Sequence, residues 1–380
     1  MTQVLITGGA GFIGSHLARS LIAADFRVRI LDPLSPQIHG PIPCGLDWLL
    51  DERIDYIRGS VTDRPALEAA LNDVTHIVHL AAETGTGQSM YEVARYNHVN
   101  SQGTALLFDV LANKRDHGIK RIVLASSRSV YGEGAYLCEN CNTPSERVFP
   151  GARSAAQLAN HLWEPRCPDC GQALKAVATK EDDPVRPASI YAATKYAQED
   201  LVRVACESLG IGFAILRLQN VYGEGQSLNN PYTGILSIFS TRVRRGLELT
   251  AFEDGLESRD FVHVSDVVEA MFLALTTMQS ANTVINVGSG VPTSVLKVAS
   301  LLSETLGHTP IIRVTGEYRV GDIRHNVADV TRLREILGYE SQISLEQGLR
   351  RFCDWVITQP LPEDLLGRAN AELKARKLMG

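Results

Sequence analysis

The segment at residues 4–14, VLITGGAGFIG, constrains the fold of this 380-residue chain more than any other part of the sequence. An apolar run typical of a buried strand leads into three glycines spaced three residues apart, and an amphipathic run continues to residue 23. A strand that passes through glycines into a helix predicts dinucleotide binding, because the helix N-terminus offers unpaired N–H groups and a positive dipole end to the phosphates.

The three glycines have separate roles in such a turn. Gly8 permits the tight turn, Gly11 lets the backbone approach the pyrophosphate, and Gly14 lets the helix pack closely against the strand. Phe12 and Ile13 are expected beside the cofactor because they lie between the last two glycines.

Asp32 ends the second predicted strand, where the adenosine ribose hydroxyls are expected. Its carboxylate would repel a 2′-phosphate, and Pro33 rather than an arginine follows it, so NAD is favoured over NADP. A loop cap is the alternative role for this carboxylate.

Apolar runs that alternate with helical patterns predict an α/β fold, a doubly wound parallel-sheet Rossmann domain with a smaller C-terminal substrate lobe. The predicted strands are residues 3–7, 28–32, 76–80, 121–126, 213–218 and 284–288, and two of the predicted helices are 91–117 and 190–209. The predicted units are the Rossmann domain at 1–220, an insertion at 133–180, and the lobe at 221–283 and 289–380. The strand at 284–288 is expected to return to the main sheet.

Composition excludes several classes of function. The chain is 44% hydrophobic and 21% charged, with a net charge of −6 and a pI near 6.0, so no basic surface for nucleic acid or an anionic membrane is expected. No apolar run has the length of a membrane span, and no signal peptide is recognisable. A cytoplasmic location is predicted, in which the seven cysteines are thiols or metal ligands rather than disulfides.

Tyr191 and Lys195 are one helical turn apart and can point into the same pocket. Tyrosine has a pKa of about 10 and is a poor base at neutral pH, but a neighbouring cation favours the phenolate. Lowering that pKa by about three units corresponds to roughly 4 kcal/mol, a reasonable demand on one close cation. A surface helix with this pair of residues is the alternative interpretation.

Two predicted strand ends carry side chains suited to a cofactor and a substrate. Hydroxyls cluster at residues 126–129, where one could hydrogen-bond both Tyr191 and a substrate oxygen, although serines also cap turns. Leu80, Ala81 and Ala82 end the strand before it, and the two small residues would let the backbone approach a cofactor.

Five segments in this order, TGGAGFIGSHL, HLAA, SSRSVYG, YAATK and SRDFVHVSD, resemble the extended short-chain dehydrogenase/reductase family of nucleotide-sugar enzymes over nearly the whole chain. The resemblance implies a catalytic triad of Ser127, Tyr191 and Lys195. It implies a cofactor site that Asn100 supports and in which Ser60 and Val61 take the adenine-contact position. The residues implied to hold the nucleotide diphosphate are Asn220, Arg259, Arg319 and Asp322. Candidate sugar contacts are Thr84, Gln88, Ser89, Ser127 and Arg128.

The residues after the catalytic serine distinguish reactions within this family. The 4,6-dehydratases resemble one another in an Asp-Glu pair there, which supplies the acid and base for loss of water, but this chain has Arg128-Ser129. What remains is hydride chemistry, which predicts an NAD-dependent nucleotide-sugar 4-epimerase. The segments SSRSVYGEG, WEPRCPDCG and NNPYTGILSIF resemble the dTDP-L-rhamnose 4-epimerase group. The alternatives are a nucleotide-sugar reductase or dehydrogenase, a dehydratase, and a non-enzymatic redox-sensing regulator.

Two C-x-x-C pairs lie in the insertion between Tyr131 and Tyr191. Four thiolates predict a structural zinc in a zinc-ribbon-like unit, with a redox dithiol or a coincidental set of thiols as alternatives. The predicted metal ligands are Cys138, Cys141, Cys167 and Cys170. The position of the insertion predicts a lid or wall over the sugar site, and the family resemblance implies a homodimer.

Overall fold

The computed structural model describes residues 2–40, 45–114, 116–141, 146–230, 232, 234–280 and 282–380. Its strands are β1 (Gln3–Thr7), β2 (Arg27–Asp32), β3 (Ile54–Arg58), β4 (His76–His79), β5 (Arg121–Ser127), β6 (Tyr136–Leu137), β7 (Arg147–Val148), β8 (Lys175–Ala176), β9 (Gly212–Leu218), β10 (Asn220–Tyr222), β11 (Leu249–Ala251), β12 (Ser258–His263), β13 (Thr283–Val287), β14 (Pro292–Ser294), β15 (Ile312–Val314) and β16 (His325–Asn326).

Its helices are α1 (Phe12–Ala23), α2 (Pro36–His39), α3 (Arg64–Ala70), α4 (Thr86–Ser89), α5 (Val93–Tyr96), α6 (Gly103–Asn113), α7 (Ala155–Ala159), α8 (Ile190–Leu209), α9 (Ile235–Arg244), α10 (Val264–Thr276), α11 (Val295–Thr305), α12 (Thr331–Leu337), α13 (Leu345–Thr358) and α14 (Leu366–Ala375). A π-helical segment, Asn97–Gln102, joins α5 to α6. None of the helices in the described part of the chain is long and apolar enough to cross a membrane.

The main sheet has seven parallel strands in the order β13-β9-β5-β4-β1-β2-β3, which confirms the predicted doubly wound α/β fold. Its central strands are continuous Val-Ile-Leu runs because helices cover both faces and bury both sets of side chains. The strand order reverses between β1 and β4, and ligands bind beyond the carboxyl ends of the strands at such a point. The edge strand β3 lacks that apolar signature, with Asp55 and Arg58 in its sequence, and the sequence pattern did not predict it.

Two apolar cores lie on the two faces of the sheet. One is built from α1, α10 and α12, and the other from α3, α6 and α8. The helix α10 lies within the region predicted as the substrate lobe, yet Val267 and Met271 are buried in the core against α1. The helix α10 therefore packs against the sheet, and β13 returns to its edge as expected.

A third core, from α9, α11, α13 and β11, stabilises the smaller lobe. The insertion has only a small core, formed by Tyr136, Cys138, Cys167 and Leu174, beside the three two-residue strands β6, β7 and β8. Such a short sheet with so few buried side chains has too little apolar surface in its core to hold its shape by packing alone, which favours an additional cross-link.

Candidate active site

A cavity of about 500 Å³ opens at the carboxyl ends of the central strands, where the fold predicts ligand binding. Most of the site residues expected from the sequence line this cavity. They are Gly8, Gly11, Phe12, Ile13, Gly14, Asp32, Ser60, Val61, Leu80, Ala81, Ala82, Thr84, Ser127, Arg128, Tyr191, Lys195 and Asn220.

The glycine turn has the close packing that a dinucleotide site requires. Gly8 has a φ of 70°, and a Cβ added there would lie 2.9 Å from the backbone nitrogen of Ala81. A Cβ on Gly14 would lie 2.6 Å from the Cα of Gly9, so α1 begins in contact with the turn. Gly11 faces the cavity, where the N-terminus of α1 is open to a phosphate.

Asp32 ends β2, and its carboxylate contacts the glycine turn at Ala10. Its carboxylate accepts hydrogen bonds from the backbone N–H groups of Ala10, at 3.1 Å, and Leu34, at 2.8 Å. Burial raises the pKa of Asp32, and the bond from Leu34 acts in the opposite direction. Each oxygen retains lone pairs for a further donor, so the carboxylate can cap the turn and still accept a ribose hydroxyl. The geometry therefore fits the adenosine part of a dinucleotide.

Ser127 ends β5 with its hydroxyl oriented for donation. The backbone N–H and the hydroxyl of Ser129 donate to Ser127 Oγ at 3.2 and 2.9 Å. Because two donors already point at this oxygen, its own hydrogen is free for Tyr191 or for a substrate oxygen. Burial raises the pKa of Tyr191, whereas the Ser127 hydroxyl and the Arg128 guanidinium lower it.

Lys195 lies on the cavity wall, but its ammonium donates to Gln198 Oε1 at 2.6 Å. Burial lowers the pKa of Lys195 to about 7, and Glu199 opposes the shift. The sequence predicts that the Lys195 cation favours the Tyr191 phenolate, and the Ser127 hydroxyl and the Arg128 guanidinium act on the pKa of Tyr191 in the same direction.

Gln198 extends from Lys195 into a buried polar network that the sequence did not predict. Its amide donates to Thr104 Oγ1 at 2.7 Å, and His79 Nε2 lies 2.9 Å from the same hydroxyl. Burial lowers the pKa of His79 to about 3, so this histidine is neutral and its ring nitrogens hydrogen-bond Thr7 and Thr104. The sequence signal for this network was that Gln198 follows Lys195 by three residues on α8. Its role is visible only once α6, which carries Thr104, is packed against α8.

Gln88 and Ser89, which were expected to contact the sugar, do not line either cavity, and Asn100, which was expected to support the cofactor site, does not line one either. The Asn100 side chain bonds the backbone of Glu83 and the hydroxyl of Thr194, so it fixes the loop after β4 to α8. The Gln88 amide makes hydrogen bonds with the side chains of Gln37, Glu92 and Tyr96. Ser89 Oγ accepts from the backbone N–H of Tyr191 at 3.0 Å and so supports the start of α8.

A second cavity of about 210 Å³ continues from the first, since Asn220 and Ile235 line both. Its polar wall contains Arg259, Arg319 and Asp322, three of the residues that the family resemblance implies for the nucleotide diphosphate. The guanidinium of Arg319 stacks on Phe252 at 4.4 Å.

Several buried polar atoms along the walls of the two cavities have no hydrogen-bond partner among the described residues. They are Arg128 Nη1, Asn220 Oδ1, Glu257 Oε2 and Arg319 Nε. Burial lowers the pKa of Arg128 to about 9, with Arg259 acting in the same direction. Such costly unpaired groups indicate a polar ligand, and the guanidinium groups suit a diphosphate.

The four cysteines of the insertion converge, with all four Sγ atoms within 4.8 Å of one another. Cys138 Sγ lies 3.5 Å from Cys170 Sγ, and Cys141 Sγ lies 3.6 Å from Cys167 Sγ. Zinc–sulfur bonds of about 2.3 Å in a tetrahedron place sulfurs about 3.8 Å apart, whereas a disulfide needs about 2.05 Å. The donor set therefore fits a closed tetrahedral metal site.

The insertion does not cover the sugar site, so the predicted lid is wrong for the described residues. None of the described residues from 133 to 180 lines either cavity. The insertion packs instead behind the wall of the second cavity, through contacts to His325 of β16, to the backbone of Val327 and to the turn at Asp322.

Comparison with known proteins agrees with this geometry. The model of the NAD dependent epimerase/dehydratase family matches residues 4–156 and 169–288. The dTDP-L-rhamnose 4-epimerase of Burkholderia thailandensis is 39% identical over 360 residues, which cover 93% of this chain and 94% of that protein.

Solved structures are similar over the same extent. The UDP-glucose 4-epimerase of Thermotoga maritima with UDP-glucose is 29% identical, with a TM-score of 0.73 over 94% of this chain and 99% of that one. The UDP-glucose 4-epimerase of Thermus thermophilus in complex with NAD is 27% identical, with a TM-score of 0.72 over 94% and 100%.

The parallel sheet, the glycine turn and the Ser–Tyr–Lys site define an enzyme of the extended short-chain dehydrogenase/reductase class. The chain belongs to the NAD dependent epimerase/dehydratase family.

Proposed function

We propose that this enzyme is an NAD-dependent nucleotide-sugar 4-epimerase, an isomerase, and that its substrate is dTDP-L-rhamnose or a closely related nucleotide sugar. The observation that carries the proposal is the placement of Ser127 and Tyr191 in the wall of the dinucleotide cavity, which continues past Asn220 and Ile235 into the arginine-lined cavity. A sugar between the two would present its ring to the hydroxyls and its diphosphate to Arg259 and Arg319. The similarity to 4-epimerases, one of them in complex with NAD, supports the proposal.

Tyr191 and Ser127 of this chain carry out the proton transfer and hydrogen bonding at the substrate's O4 oxygen. Tyr191, as the phenolate, accepts the O4 proton, and Ser127 donates a hydrogen bond to the same oxygen. NAD, which the glycine turn and Asp32 would hold, would supply reversible hydride transfer at C4, so that the sugar passes through a 4-keto form and can regain hydrogen on its opposite face. Tyr191 then returns the proton to O4, which completes an epimerisation with no net oxidation.

The carboxylates that line the main cavity argue against a dehydratase. Among the described residues these are Asp32 and Glu83, and neither follows the catalytic serine. Backbone N–H groups hold Asp32, and Glu83 pairs with Arg95 at 2.7 Å. The Ser127 turn instead carries a guanidinium and a hydroxyl, which offer no general base for proton removal at C5.

The proposal is tested by NMR of a panel of nucleotide sugars, including dTDP-L-rhamnose and UDP-glucose, incubated with the purified enzyme and no added NAD. We expect a C4 epimer to form and Tyr191→Phe to abolish its formation. Tyr196→Phe is the matched control, because Tyr196 lies on the same helix and lines neither cavity. Full activity of Tyr191→Phe, or a stoichiometric requirement for added NAD(P)H, would exclude this mechanism.

We also propose that the four cysteines hold a structural zinc ion. The Sγ separations and the all-thiolate donor set support this, and the small core of the insertion gives the metal a stabilising role. Elemental analysis should give one zinc per chain for the wild type and for Gln172→Ala, an exposed neighbour on the same knuckle. Cys170→Ser should lose the zinc. Wild-type protein purified without chelators that contains no zinc and keeps four free thiols would refute the site.

A further inference from the structure

Arg153 lies on the loop between the two cysteine pairs, yet its side chain is only 2% exposed. It reaches from the insertion into the substrate lobe, where its Nη2 group donates to the backbone carbonyl of Asp322 at 3.0 Å. Its Nη1 group donates to Glu253 at 2.8 Å and to the carbonyl of Trp163 at 3.0 Å. Its Nε group donates to Glu133 at 3.0 Å. This guanidinium therefore has a bonding partner on each of its three nitrogens, which fixes its orientation.

The turn that Arg153 contacts belongs to the wall of the second cavity. The Asp322 carboxylate lies 3.8 Å from the guanidinium of Arg259, and both residues line that cavity together with Arg319. A shift of the Asp322 backbone would therefore move a carboxylate that helps to place Arg259.

A second connection reaches Arg259 from the insertion. Glu133 Oε2 accepts from the backbone N–H of Arg324 at 2.8 Å, and the carbonyl of Arg324 accepts from Arg259 Nη1 at 2.9 Å. The side chain of Arg324 is 1% exposed and bonds Glu253 at 3.1 Å, which is also a partner of Arg153. Two connections therefore join the insertion to the same cationic wall, one through Asp322 and its ion pair with Arg259, and one through hydrogen bonds of the Arg324 backbone.

The cysteines close the loop that carries Arg153. Residues 142–166 connect the two C-x-x-C pairs, and Cys141 Sγ and Cys167 Sγ at its ends are 3.6 Å apart. Joining the ends of a loop removes much of its conformational freedom. A metal at these sulfurs would therefore hold Arg153 in place for its partners in the substrate lobe.

We infer that Arg153 is a positioning residue through which the four-cysteine insertion sets the affinity of the second cavity for a nucleoside diphosphate. The inference rests on the proposed function, since it takes the substrate to be a nucleotide sugar. The insertion thus acts behind the binding wall, and the chemistry at Tyr191 does not depend on it.

The test is calorimetric titration of dTDP alone, combined with KM and kcat for dTDP-L-rhamnose. Arg153→Met should weaken dTDP binding and raise KM about tenfold or more, as expected when one charged hydrogen-bond network is lost, with kcat and bound NAD little changed. Arg153→Lys keeps the buried charge and should recover part of the affinity. Arg147→Met is the matched control, because Arg147 also lies in the insertion but pairs with Asp183 away from the cavity.

The outcomes separate this inference from the proposed function. Wild-type affinity for dTDP in zinc-loaded Arg153→Met would overturn the inference. If that variant does not fold, unchanged affinity in Arg153→Lys and in wild-type enzyme stripped of metal would overturn it equally. Wild-type enzyme that binds dTDP through Arg153 but forms no C4 epimer would overturn the proposed function and leave the inference intact.

Discussion

Gln198→Met tests the buried hydrogen bond between Lys195 and Gln198, the contact of the site that the sequence pattern gives least reason to expect. In this structure the Gln198 carbonyl oxygen accepts from Lys195 Nζ at 2.6 Å. A hydrogen bond to a charged group contributes about 1.5–3 kcal/mol, so its loss should lower the pKa of Lys195 by roughly one to two units. Since that pKa is already about 7, Lys195 would be largely neutral at pH 7 in the variant.

The consequence is a shift of the alkaline limb of the kcat/KM profile. Lys195 loses its proton as pH rises through its pKa, so a lower pKa moves that limb to lower pH. At pH 7.5 the charged fraction, and the activity that needs it, should fall roughly ten- to a hundredfold, with a smaller loss near pH 6. The assay is the initial rate of C4 epimer formation from pH 5.5 to 9.

Thr104→Val is the matched control for this experiment. It removes the hydroxyl that Gln198 and His79 contact, and it leaves the bond between Lys195 and Gln198 intact. Both variants should be destabilised by about 1–3 kcal/mol, because each leaves a buried polar group unpaired. An alkaline limb that does not move in Gln198→Met, or that moves equally in Thr104→Val, would refute the reasoning.

Three further predictions follow from single contacts. Gly14→Ala places a Cβ 2.6 Å from Gly9 and should reduce copurified NAD and cost about 1–3 kcal/mol in stability, whereas Gly151→Ala, with open space around it, should change neither in a thermal melt. Burial raises the pKa of Glu257 from 4.5 to about 7, so the native state binds a proton that the unfolded state releases between these pH values. The free energy of unfolding should therefore fall as pH rises from 4.5 to 7. Denaturant titrations of Glu257→Gln should show a smaller dependence on pH. Because ionised Glu257 repels an anionic substrate, KM should rise through pH 7 in the wild type and stay flatter in Glu257→Gln; equal slopes would contradict the placement of Glu257 beside the diphosphate.

The sequence predicted those parts of the fold and site whose signals are local. The glycine turn depends on spacing within eleven residues, and the Tyr191–Lys195 pair on one turn of α8. The apolar runs of β1, β5 and β9 likewise reflect burial on both faces. The strand β3 was not predicted because it is an edge strand, and its charged side chains interrupt the apolar run that marks the central strands.

What the sequence could not predict depends on contacts between distant segments. Asn100, Gln88 and Ser89 carry polar side chains suited to ligand binding, but each is hydrogen-bonded within the protein, Asn100 and Ser89 to α8 and Gln88 to Tyr96 of α5. The insertion lies between Ser127 and Tyr191 in sequence, which suggested a lid. Glu253 and Asp322, the partners of Arg153 in the substrate lobe, lie about 100 and 170 positions further along the chain. Only the folded structure shows that Arg153 reaches the back of the second cavity.

The measurement that tests the central claim most directly follows the C4 hydrogen itself. dTDP-L-rhamnose deuterated at C4 is incubated in ordinary water with enzyme purified without added NAD, and ¹H and ²H NMR record the product. We predict a mixture of the two C4 epimers, with deuterium retained at C4 in both, because the hydride leaves and returns without exchange. Loss of the label to solvent, or no conversion by enzyme that carries NAD, would contradict an epimerase of this kind.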